Sequence, residues 1–215
     1  MKIVKPSVDL LTSTDTPSQF LELAGRTCYK SEDKITCDSA DKFVKMINKR
    51  GHESVVEHAS ATVRIVCDRG VSHEIVRHRI ASFSQESTRY CNYGKDKFGK
   101  EITVIEPPNM TEDQYFDWKA AMVAAEHFYF KMLDHSASPQ IARSILPNSL
   151  KTEIVCTMNF RAWSHFFNLR LDASAHPQIR QIAYLAFNLI EPLCPPVFEQ
   201  YRDKALKIKE DGLVV

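Results

Sequence analysis

Between residues 59 and 67 the chain alternates, with Ala61, Val63, Ile65 and Cys67 on one side and Thr62, Arg64 and Val66 on the other. A period of two marks a strand, predicted here from Ala59 to Cys67. A β-branched alternation from Leu150 to Met158 predicts another. Elsewhere the apolar positions recur at helical spacing. Two early helices are expected, Thr16 to Arg26 and Ser39 to Arg50; the second carries Phe43, Met46 and Ile47 at core positions and stops at Gly51. Asp68-Arg69-Gly70 turns the chain into a short helix from Val71 to about His78, with Val71, Ile75 and His78 on one face. A long helix follows from Glu112 to about Asp134, with Thr111 or Asn109 as its cap, and a further helix starts after Ser138-Pro139. Phe160 to Leu171 and Pro177 to Ile190 read as two more. Ile80 to Gly99 shows no sustained period and is rich in Ser, Thr, Tyr, Asn and Gly, the composition of an ordered functional loop. No internal repeat interrupts this order. The expected class is α+β, in one domain spanning residues 1–215.

Composition narrows the function. Lys and Arg number 28 against 27 Asp and Glu, so no broad positive field exists to hold a long nucleic acid through counterion release. Phosphate binding must be local. No apolar run reaches the roughly 20 residues of a membrane span, and MKIVKPSVDL lacks the apolar stretch of a signal peptide; a cytoplasmic protein is expected. The six cysteines stand singly, without a C-x-x-C pair, and read as reduced, mostly buried thiols. None sits in a setting that favours a reactive thiolate.

The chemistry concentrates between Arg77 and Tyr90, where three arginines and four hydroxyl residues fall within fourteen positions of Arg-His-Arg-Ile-Ala-Ser-Phe-Ser-Gln-Glu-Ser-Thr-Arg-Tyr. Arginine forks bind phosphate bidentately, and hydroxyls with loop amides complete such a cradle. Helical neighbours lie about 100° apart, so Arg77 and Arg79 would serve two anionic groups rather than one. Ser87 lacks a clear base to take its proton and reads as a phosphate ligand, not a nucleophile. A solvated turn pairing its arginines with Glu74 and Glu86 is the plain alternative. His52 and His58 are six apart, the wrong spacing for the metal-binding H-E-x-x-H pattern. Phe160, Trp163 and Phe167 form a core stripe, and His165 lies off it.

Arg77-His78-Arg79, seven residues and then Ser87 resembles the signature of flavin-dependent thymidylate synthases. The likeness extends in order through Gly51 to His58, Pro139 to Arg143 with Leu146-Pro147, Asn159-Phe160-Arg161, Asn168-Leu169-Arg170 and Ala175 to Arg180. It implies an α+β fold with helices packed around a sheet, FAD as cofactor, methylation of dUMP to dTMP, 5,10-methylenetetrahydrofolate as one-carbon donor, NADPH as reductant, and a homotetramer with sites shared between subunits. It places the nucleotide on Arg77, Gln85, Ser87, Thr88, Arg89, Arg143 and Arg170, with Arg170 and Ser87 as the catalytic set. The flavin falls to His52, Ser54, Arg77, His78, Arg79, Ile80, Asn159, His165 and Ser174. Arginine and histidine would stabilise an anionic reduced flavin. No metal is implied.

Three positions depart from the pattern: Cys28 stands where some relatives have Ser, Gln85 where some have Glu, and Glu74 where some have Gln. A carboxylate at Glu74 would repel a phosphate unless an arginine pairs with it. Gln85 can still donate and accept. Two rivals remain open. One is a nucleotide- or RNA-binding module stacking bases on Tyr90, Tyr93 and Phe98, which the near-zero charge opposes; the other is a metal-dependent hydrolase using His52 to His58.

Overall fold

The computed structural model describes residues 1–95 and 99–214. Phe98, a candidate stacking group, lies outside them. The two predicted strands sit side by side at the centre: β3 (Ser60–Asp68) and β6 (Lys151–Asn159) run antiparallel with Val63 opposite Cys156 and Ile65 opposite Ile154. Flanking them are β2 (Ser7–Ser13) and β4 (Ala81–Gln85), giving the order β2-β3-β6-β4. A separate parallel pair joins β1 (Lys2–Val4) to β5 (Thr103–Ile105).

One face of the four-stranded sheet is dry and the other wet, as an antiparallel sheet allows. Ala61, Val63, Ile65, Ile154, Cys156 and Met158 point inward and are buried. On the outer face Thr62 and Thr157 join hydroxyls at 2.9 Å, and Arg64 pairs with Asp9. The dry face is covered by α4 (Arg69–Ile75), α7 (Phe160–Arg170) and α8 (Pro177–Ile190). Trp163 of α7 is fully buried and donates its indole N–H to the Ala61 carbonyl at 3.1 Å, tying helix to sheet. The N-terminal helices α1 (Pro17–Thr27), α2 (Ala40–Lys49) and α3 (Glu53–Val56) pack at one side of this core, with α9 (Pro195–Phe198) and α10 (Arg202–Glu210).

A smaller cluster lies under α5 (Glu112–Asp134) and α6 (Pro139–Ala142), built on Tyr93, Ile102, Val104, Met122, Tyr129 and Leu150. The α5 start is a capping box: Thr111 Oγ1 accepts from Gln114 N while Gln114 Oε1 accepts from Thr111 N. No helix among the described residues is long and apolar enough to cross a membrane.

The segment expected to be loop from Ile80 begins instead with β4. Its alternation is there in the sequence, Ala81, Phe83 and Gln85 turned inward against exposed Ser82 and Ser84, but only two of the inward residues are apolar. The cysteines divide more evenly than expected. Cys67, Cys156 and Cys194 are buried, whereas Cys28 and Cys37 are exposed and Cys91 is intermediate.

Candidate functional site

The site begins where α4 ends. Asp68 caps that helix, its Oδ1 accepting from Val71 N at 2.8 Å, and its Oδ2 accepts from Gln178 of α8 at 2.6 Å. The helix stops at Ile75, short of Arg77-His78-Arg79. Bonds from Arg77 N to the Glu74 carbonyl and from His78 N to the Ile75 carbonyl tighten the exit into a turn. The helical separation expected of Arg77 and Arg79 therefore does not apply to them. Burial of His78 with Val71 and Ile75 does hold. At Ile80 the backbone enters the left-handed region, φ +62°, with the side chain 83% exposed, and the chain reverses into β4.

Arg170, the last residue of α7, fastens this turn from across the core. Its Nε donates to His78 Nε2 at 2.9 Å, Nη1 to Glu74 Oε2 at 2.8 Å and Nη2 to the Glu74 carbonyl at 3.3 Å. Glu74 is thus paired with an arginine, the condition under which its carboxylate is tolerable near a phosphate. Acceptance at Nε2 puts the ring proton of a neutral His78 on Nδ1. Burial, then the Arg170 charge and His165, push His78 down to about 4. His78 is therefore a neutral acceptor at physiological pH, so its part toward an anionic flavin is hydrogen bonding rather than charge.

Beside this turn a cleft of about 530 Å³ opens between α3, α7 and the residues after α9. Arg79, Ile80, Asn159 and His165 line it together, so four of the residues assigned to flavin meet in one place. Asn159 is fixed by its role as the α7 cap, its Oδ1 accepting from Ala162 N at 2.9 Å. Among the described residues Arg77, Arg79, Arg89 and Arg143 are exposed and have no carboxylate partner; Arg89 lies over the Tyr90 ring instead. The plain alternative, a turn that neutralises its own arginines, fails here. Glu74 is held by Arg170, and Glu86 by Lys151 and Tyr93.

This geometry has relatives. Residues 9–196 match the family described as thymidylate synthase complementing protein. The flavin-dependent thymidylate synthase of Geobacter sulfurreducens is 36% identical over 198 residues, covering 89% of this chain and 84% of that protein. That of Pyrococcus furiosus is 33% identical over 184 residues, covering 82% and 75%. The chain belongs to the flavin-dependent thymidylate synthase family. The fold agrees: thymidylate synthase X from Helicobacter pylori, solved with FAD and dUMP, superposes with a TM-score of 0.76 over 91% of this chain and 98% of that one at 23% identity. The UMP/dUMP methylase PolB from Streptomyces cacaoi, bound with 5-Br dUMP, gives 0.79 over 94% and 97%, also at 23% identity. Family, α+β class, enzyme class and FAD cofactor are borne out. The activity of the family is flavin-dependent methylation of dUMP to dTMP.

The remaining family positions are not among the cleft's lining residues. His52 and Ser54 are exposed on and beside α3, and Ser174 is exposed in the turn after α7, its Oγ donating to Asp172 at 2.8 Å. Arg143 follows α6, over the smaller core. Gln85 uses its amide hydrogens inside the protein, donating to Ser72 Oγ and Thr152 Oγ1, so only its oxygen is left for a ligand. Thr88 is buried, whereas Ser87 is half-buried and Arg89 is exposed. Ser87 Oγ accepts from Arg89 N at 3.3 Å, and among the described residues no side-chain base bonds to it. Tyr93, once a candidate stacking group, is buried. Burial also pushes the Cys67 and Cys156 thiols up to about 12, and Cys194 to about 11. No nucleophile is to be found among those three.

The cleft adds residues that sequence reasoning left unassigned. Arg161 pairs with Glu53 at 2.8 Å and with Glu57, which accounts for the acidic residues between His52 and His58. Their blocks had been recognised, and only their pairing was invisible. Gln200 and Tyr201 line the cleft from the C-terminal side, and no motif announced them. The donor set fits a flavin: the Arg79 guanidinium, unpaired among the described residues, the Asn159 amide hydrogens and the His165 imidazole, in one cleft, suit an anionic ligand rich in acceptors.

Proposed function

We propose that the enzyme methylates dUMP with methylenetetrahydrofolate as carbon donor and NADPH as reductant, in a single domain that assembles as a cytoplasmic homotetramer. The observation that carries this reading is the set of exposed arginines that have no carboxylate partner among the described residues. Exposed guanidinium groups with no carboxylate to neutralise them are free to take an anionic ligand. Arg79, Asn159 and His165 hold the flavin, with His52, Ser54, Arg77, Ile80 and Ser174 completing its contacts. Bound FAD supplies the reducing equivalents.

The nucleotide falls to Arg77, Ser87, Arg89, Arg143 and Arg170. Arg170 spends three of its five N–H donors on Glu74 and His78, so two remain to orient the ring from a guanidinium that cannot swing. Neutral His78 keeps the Arg170 bond and adds no charge. His52 and Ser54 flank Glu53 at the cleft, whereas Ser174, Arg143 and the Ser87 segment are not among its lining residues. A shared site gathers such surfaces from different subunits. The test is anaerobic: NADPH should bleach the bound flavin's visible absorption, dUMP should alter that rate, and later addition of the folate should yield dTMP. A purified protein that holds no flavin would overturn the reading.

A further inference from the structure

Glu86 stands immediately before Ser87 and has every polar group engaged. Its N–H donates to the Glu153 carbonyl at 2.8 Å, and its own carbonyl accepts from Arg69 Nη1 at 3.4 Å. Oε1 accepts from the Tyr93 hydroxyl at 3.0 Å, and Oε2 from Lys151 Nζ at 3.1 Å. Tyr93 is itself buried, its N–H donating to the Tyr129 hydroxyl at 3.3 Å, and its ring lies edge-on to that of Tyr129. The residue before the Ser87–Arg89 stretch is thus bonded by side chain to a residue after it, Glu86 being tied to β6 through Glu153 and Lys151 and Tyr93 being seated in the smaller core. Between them Tyr90 N and Cys91 N donate to the Ser87 carbonyl, at 3.1 and 2.9 Å.

The geometry points to Glu86 and Tyr93 as positioning residues: their side-chain bond closes the segment from Ser87 to Asn92 into a preformed loop that presents Ser87 and Arg89 to the phosphate of the nucleotide. This rests on the reading of Ser87 and Arg89 as nucleotide ligands. A loop ordered in advance spares the ligand the entropy of ordering it. Lys151 has a second part. A carboxylate next to a phosphate site would weaken anion binding, and Lys151, shared with Glu153 at 2.6 Å, offsets it. Burial opposes the charge on Lys151, yet the two glutamates outweigh it and raise its pKa.

The experiment uses the flavin-loaded enzyme and Tyr93→Phe, which removes the hydroxyl and keeps the buried ring. KM for dUMP should rise about fivefold to tenfold, less than the full worth of a hydrogen bond to a charged group because Glu153 and Lys151 still hold Glu86. Turnover at saturation and FAD content should stay as in the parent. Amide exchange should quicken in residues 87–92 and not across the sheet. Glu86→Gln should give the same pattern, and the double variant should add little to either, because both remove one bond. Arg89→Ala serves as the reference. If it raises KM while Tyr93→Phe does not, the clasp is overturned. If Arg89→Ala changes nothing, the ligand reading has failed, and exchange alone decides the clasp. Protection of residues 87–92 that is unaltered, or lost equally everywhere, in Tyr93→Phe overturns it.

Discussion

Acid should weaken this fold through His78 in a way that can be isolated. The ring is 5% exposed, accepts from Arg170 through Nε2, and titrates near 4, against about 6.5 in the unfolded chain. Between these values the unfolded chain binds the proton that the folded one refuses, so acidification favours unfolding. The contribution is fully present above pH 6.5 and is lost as the pH falls toward 4. At pH 4.5 the unfolded histidine is almost wholly protonated and the folded one about a quarter so, which makes the loss from pH 7 about 2 kcal/mol. Other groups add to the acid dependence, Asp68 among them, its carboxyl raised by burial. A difference measurement removes them. Denaturant unfolding of the parent and of His78→Gln, at one protein concentration and at pH 7 and 4.5, should show the parent losing about 2 kcal/mol more than the variant. Equal losses would mean that His78 is not held neutral by its surroundings, and the assignment of Nε2 as acceptor would go with it.

Arg89→Ala should weaken dUMP by roughly 10- to 100-fold, the worth of a charge-assisted hydrogen bond, and leave FAD nearly untouched; calorimetry with each ligand decides. Ser87→Ala should retain measurable dTMP synthesis, since among the described residues no side-chain base bonds to its hydroxyl; a dUMP adduct on Ser87 seen by mass spectrometry would contradict this. Arg170 is bonded within its own chain to the turn that carries Arg77, whereas Arg143 lies over the smaller core, so Arg143→Ala and Arg170→Ala, unfolded and refolded together, should regain activity if the two arginines of one site come from different subunits. Mixed oligomers confirmed by mass yet inactive would refute that division.

The elements that the sequence foretold are those with a complete pattern. β3 and β6 alternate over their full length, and α7 and α8 carry long apolar stripes; all four fell within a residue or two of expectation. The strands that escaped notice are short or interrupted. β2 breaks its alternation at a bulge between Leu10 and Thr12, which throws Leu11 outward, and β1 and β5 have three residues each. For the site, residue types and order pointed to the ligands, but not to how the side chains share their bonds. That Gln85 turns its amide inward to Ser72, and that Arg170 silences both Glu74 and His78, are facts of tertiary packing between positions 13 to 96 residues apart. No local pattern encodes them.

Ile80 sets stability against activity at a single bond. A β-branched residue at positive φ is held on the wrong side of its torsional preference, at a cost of order 1–3 kcal/mol. Glycine would take that conformation freely and should make the folded state more robust. It would also strip an apolar side chain from the mouth of the cleft, where Ile80 stands among the lining residues and is otherwise bare. Selection for thermal endurance alone would thus be expected to erode this position first, and a stabilised variant of the enzyme obtained that way should be checked for what it has lost in cofactor retention.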